Sequence, residues 1–154
     1  MKKSQFISGR LREVFLNGRW IANTNYKETL DSVTLFQATQ KVGNLNTIAM
    51  LTFHINYYLD GVLTVLKGGE LSIRDQYSFD LPPLKTEEDW LKLKQELYDN
   101  AEQFATYTEA LTDEVMGHAF VDEKYGTYER NLEAMIEHSY YHLGQISLLK
   151  KMLA

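Results

Sequence analysis

Long stretches of helical spacing with few interruptions constrain this chain more than any other feature. Proline cannot continue a helix, and it occurs only as the adjacent pair Pro82-Pro83. Gly43, Gly68-Gly69, Gly117 and Gly126 supply most of the remaining punctuation. Between these breaks the apolar residues recur at steps of three and four, the period of an amphipathic helix rather than of a strand.

The spacing predicts a first helix over residues 4–16, with Phe6, Leu11, Val14 and Phe15 on its apolar side and Asn17-Gly18 ending it. Residues 19–43 read as short helical turns, where Asn25 precedes Glu28 and Thr34 precedes Gln37 at capping-box spacing. A second long helix is expected over residues 44–67. Its stripe is Ile48, Leu51, Ile55, Leu59, Val62 and Leu66, interrupted by Gly61 at a cost of ~1 kcal/mol relative to alanine. Residues 72–85 form a linker long enough to carry the chain along the molecule rather than simply turn it back. Thr86 caps a third helix whose first turn holds Glu87, Glu88 and Asp89, carboxylates suited to the positive end of the dipole. Trp90, Leu93, Leu97, Phe104, Tyr107 and Leu111 mark its apolar side. Residues 112–126 are irregular, and a last helix runs from about 127 to 152 with Leu132, Met135, Ile136, Leu143, Ile146, Leu149 and Leu153 inward. Four long helices with one extended connection predict an all-α fold, a four-helix bundle with a long crossover, in a single domain spanning residues 1–154.

Composition narrows the chemistry. The chain has no cysteine, which excludes disulfides, thiolate zinc sites and cysteine nucleophiles. The net charge of −5, with acidic and basic residues intermixed, argues against nucleic acid as a partner. No apolar run approaches the roughly 18 residues of a membrane span. Lys2-Lys3 is not followed by the apolar core of a signal peptide, so a soluble cytoplasmic protein is expected.

Any metal site must then use nitrogen and oxygen ligands, and the histidines are His54, His118, His138 and His142. At about 100° per residue, His54 falls about 60° outside Leu51, at the margin of the second helix's stripe. His138 and His142 are four apart, so they share a face with about 6 Å of rise between them. His142 lies inside the arc of Met135, Ile146, Leu149 and Leu153, and His138 at its edge. Such a pair also arises by chance, and a lone His54 reads as an ordinary half-buried residue. Three imidazoles beside the inner faces of two helices would be costly to bury without partners, however, and a shared ion removes that cost. His118 follows Gly117 in an irregular stretch and reads as surface. Three imidazoles suit Zn²⁺, Ni²⁺, Fe²⁺ or Cu²⁺ and leave a position open for water or a substrate thiolate. A ferritin-type di-iron centre is disfavoured because it needs two Glu-x-x-His pairs, which the sequence lacks; the nearest, Glu114 and His118, is spaced by four.

The run Glu137-His138-Ser139-Tyr140-Tyr141-His142-Leu143-Gly144-Gln145-Ile146 resembles the last-helix motif of the DinB/YfiT-like superfamily. Residues 48–58 around His54 resemble that family's second-helix metal motif, and Gly18-Arg19-Trp20 and residues 35–43 fit in order and spacing. The resemblance covers nearly the whole chain. It implies a bacterial four-helix bundle, often a homodimer, with a divalent metal (Zn, Ni or Fe) on His54, His138 and His142. Characterised members include bacillithiol S-transferases and mycothiol-dependent maleylpyruvate isomerases. That implies a transferase for a low-molecular-weight thiol and a small-molecule electrophile. A metal-dependent hydrolase and a non-catalytic metal-binding stress-response module are the alternatives. Tyr58, Asn56, Gln145 and Tyr141 lie near the motifs. Gln145 follows His142 by three and is within reach of an imidazole N–H, though a surface glutamine is the commoner case. The other three are at least as well explained as core or helix surface, and none of the four is assigned to the site.

Overall fold

The computed structural model describes residues 1–154 and is all-helical, with no strand beyond one isolated bridge between Ala119 and Thr127. The α-helices are α1 (Lys3–Arg12), α2 (Tyr26–Asp31), α3 (Leu35–Thr39), α4 (Ile48–Leu66), α5 (Glu87–Glu109), α6 (Asp113–Met116) and α7 (Tyr128–Met152). α1 continues without a break into a π-helical turn over Glu13–Asn17. No helix is long and apolar enough to cross a membrane.

Side-chain caps fix where most helices begin. Asn25, Thr34, Thr47, Thr86, Thr112 and Thr127 each accept a hydrogen bond from the backbone N–H three residues on. Such a cap satisfies a donor the helix would otherwise leave free, and its loss costs ~1 kcal/mol. Thr47 therefore starts α4 at Ile48, four residues later than the apolar spacing suggests. Gly68, at φ +94°, lets the chain turn out of α4 in the left-handed region that other residues rarely adopt.

Contacts between side chains give the helix directions. Ser8 bonds the carbonyl of Ala105, and Arg12 bonds Glu102, so α1 and α5 run antiparallel. Asn56 pairs with Asn100 and Lys67 with Gln103, so α4 and α5 run parallel. Leu51 shares a recess with Leu149, and Val65 shares one with Tyr128, so α4 and α7 run antiparallel. Parallel neighbours need a connection that travels the length of a helix. Residues 67–86 supply it, running back along α4 through a 3₁₀ turn at Asp75–Tyr77. A Cβ on Gly61 would collide with the side chain of Ile73. The glycine that weakens α4 thus lets the connection lie close against it.

One continuous cluster of 28 buried apolar residues draws on α1 to α7. The short helices are pinned to it by buried hydrogen bonds. Tyr26 donates to the carbonyl of Ser139 at 2.6 Å, and the Trp90 indole donates to the carbonyl of Val33 at 2.7 Å.

The buried faces differ in places from the apolar stripes. Phe6 is 57% exposed and Tyr107 is 40% exposed, whereas Ser4, Ser8 and Thr108 are buried. Small side chains let α1 and α5 approach closely, and the larger aromatics are left outside. Val62 and Leu66 are only half-buried, while Leu63 and Val65 are buried. α4 touches α3, α5 and α7, so its buried face is wider than a single stripe and centred differently. Leu111 and Leu153 lie just past the ends of α5 and α7 and are half-buried.

Candidate metal centre

α4 and α7 bring His54, His138 and His142 together, with the nearest ring nitrogens of all three within 4.8 Å of one another. His54 and His142 are buried and His138 is half-buried. His118, by contrast, is exposed and stands apart from this cluster. His54 lies deeper than the margin position predicted for it because the 67–86 connection roofs it. The ring of Phe79 stacks on the imidazole at 4.0 Å with an interplanar angle of 8°.

The hydrogen bonds decide which nitrogens face inward. His54 Nδ1 lies 3.3 Å from the backbone carbonyl of Ser78, which can only accept, so that nitrogen carries the proton. His142 Nδ1 lies 2.7 Å from Gln145 Oε1, again an acceptor. Both rings therefore present an unprotonated Nε2. His138 Nε2 sits between them, 3.3 Å from His54 Nε2 and 2.9 Å from His142 Nε2. It can give one proton to one neighbour, so at least one lone pair remains without a donor. Unpartnered polar atoms in a buried cluster are unfavourable, and a cation satisfies all three at once.

Titration points the same way. Burial, then the neighbouring His142 and His138, holds the His54 imidazole down at about 4. Burial, then His142, also lowers His138. Burial lowers His142 against the opposing bond from Gln145. Neutral imidazole is the form that ligates metal. Nitrogens sharing one tetrahedral ion at about 2.0–2.1 Å lie about 3.3–3.4 Å apart, close to the His54–His138 spacing. The residues present fit a divalent ion.

Around the cluster, the Tyr58 hydroxyl donates to Asp75 at 2.6 Å, and its ring lies edge-on to His54 and His138 at 5.1 and 5.5 Å. Burial and the bond to Asp75 push the Tyr58 phenol up to about 12. Tyr141 is 64% exposed and touches only the edge of the His142 ring. Asn56 turns to Asn100 instead. The i+3 spacing of Gln145 from His142 is the sequence signal for this bond, although that spacing alone does not separate it from a surface glutamine. Ser78, Phe79 and Asp75 carry no such signal, because they belong to a connection without periodicity.

An all-helical protein with three inward imidazoles on two long antiparallel helices is the class this geometry defines. A family model described as the DinB superfamily matches residues 22–146, and the chain belongs to that superfamily. No curated protein and no solved structure matches the chain.

Proposed function

We propose that His54, His138 and His142 hold one divalent ion, Zn²⁺, Ni²⁺ or Fe²⁺. On this reading the protein is a metal-dependent enzyme that transfers a low-molecular-weight thiol to a small electrophile. The proton count carries the reading: three Nε2 atoms face one another with too few protons to bridge them. When bound, the ion supplies a Lewis-acidic position that lowers the pKa of a thiol or water reaching it.

The chain's own residues supply the setting. Three protein ligands leave one tetrahedral position free, the arrangement of catalytic rather than structural sites. Phe79 covers one face of His54 and keeps water from it. Asp75 holds the Tyr58 hydroxyl at the rim. With no cysteine in the chain, any sulfur at the site has to arrive with the substrate. The same reading takes α1, α4, α5 and α7 as a four-helix bundle in one domain over residues 1–154, with residues 67–86 as its crossover. It places the protein in the bacterial cytoplasm as a homodimer.

Natively purified protein is expected to carry close to one ion per chain by elemental analysis, and His142→Ala is expected to lose it. A wild type that stays metal-free after reloading with Zn²⁺ or Ni²⁺ would sink the reading. Thiol-adduct formation and ester hydrolysis, assayed on one sample, separate the reactions: activity that persists without thiol moves the assignment to a hydrolase. Chelation that lowers the melting temperature of a protein without turnover moves it to a binding module.

A further inference from the structure

We infer that Gln145 is a positioning residue: its side-chain carbonyl keeps the His142 proton on Nδ1 and so turns the Nε2 lone pair toward the other two rings. The inference rests on the metal reading above and names the side chain that prepares one of its ligands.

The three rings are supported unequally. His54 is oriented by the backbone carbonyl of Ser78, which any residue at that position would provide. His138 uses Nε2 toward its neighbours, and its Nδ1 has no partner in the chain. His142 is the ring oriented by a side chain, across 2.7 Å. The two residues are three apart on α7, so they lie on one side of the helix and the bond needs no other element to form. Packing does not hold Gln145 in place. It is half-buried and borders a recess of about 280 Å³ lined by Leu45, Asn46, Leu51, Leu148 and Leu149. The hydrogen bond, rather than steric confinement, therefore selects its orientation. The same recess leaves room for side chains of similar length, so substitutions there test the bond rather than the fold.

Outer partners of ligating histidines fix the tautomer and raise basicity, and losing one typically weakens metal binding about 10–100-fold. The full-length chain with Gln145→Leu is expected to show that loss for Zn²⁺ in competition with a chromophoric chelator. Gln145→Glu keeps the acceptor oxygen and is expected to match or exceed wild-type affinity. The metal-free variants should unfold at the wild-type midpoint, and Gln145→Met replaces the leucine variant if that one does not fold. Nitrogen-15 NMR of the metal-free wild type should find His142 protonated at Nδ1, with the population shifting toward Nε2 in Gln145→Leu. A wild-type His142 protonated at Nε2 would overturn the inference, because Gln145 would then donate rather than accept. Zn²⁺ binding as tight in Gln145→Leu as in wild type would overturn it too. A wild type that binds no Zn²⁺ defeats the metal reading instead, and the tautomer measurement still decides the role of Gln145.

Discussion

Arg12 and the histidine cluster each join two long helices, α1 to α5 in one case and α4 to α7 in the other. The guanidinium of Arg12 reaches Glu102, Glu109, Thr106 and Ser8, and Ser8 in turn donates to the carbonyl of Ala105. Every donor of the guanidinium there meets an acceptor, the cation has two carboxylate partners, and those carboxylates are open to water. The histidine cluster is the reverse. It is mostly buried, it carries no compensating charge, and its inward nitrogens are all of one kind. The Arg12 group is completed by the chain itself, although elsewhere on α1 and α5 the Ser4 and Thr108 hydroxyls are buried without a partner. On the metal reading proposed above, a cluster left short of protons is completed from outside.

That contrast can be broken most decisively at the histidines. His54→Ala is expected to weaken Zn²⁺ binding by more than the roughly 10–100-fold seen when an outer partner is lost. Arg12→Met should leave it unchanged, and chelator competition on both variants checks this. Equal losses would mean that the two seams do not differ in kind.

Acid provides the next test. An ordinary histidine titrates near 6.5, and His54 is held at about 4 in the folded protein. The unfolded chain therefore binds the proton more readily. The sign follows: stability of the metal-free protein is full above about 6.5, falls as pH drops toward about 4, and then levels off for this group. Denaturant unfolding of wild type and His54→Gln across that window measures it, and the variant should show a shallower decline.

Smaller effects sharpen the comparison. Arg12→Met is expected to cost about 1 kcal/mol in denaturant unfolding, the scale of partly exposed ion pairs. Phe79→Leu removes the ring stacked on His54 and is expected to cost about 0.5–1.5 kcal/mol, with a few-fold weaker Zn²⁺ affinity. The first change acts on stability alone, the second on both.

Much of this was legible in the sequence. His138 and His142 could be paired because a helix places i and i+4 on one side, and Thr86 announced its helix through a side chain that caps. His54 could be placed near the inner face by angle alone. The roof over it could not, because the 67–86 connection has no period from which to tell that Ser78 and Phe79 face inward. The α1–α5 seam misled for a different reason. Hydropathy puts Phe6 inside and Ser4 and Ser8 outside, whereas close helix approach favours small side chains and reverses the order. Gln145 showed its spacing and an imidazole N–H within reach, but not that the bond forms. A glutamine one turn from a histidine is usually surface, and only the burial of His142 makes the bond worth forming.

Gly61 bears on any attempt to engineer this protein. A glycine inside a long helix invites replacement by alanine, a change that normally strengthens the helix. Here the added methyl would strike Ile73 and lift the returning chain five residues before Ser78. A stabilised α4 would then come with a His54 whose proton is no longer held in place. The helix's weakest residue is a tolerance built for the strap that crosses it, and thermostabilisation at that position would work against the site two turns away.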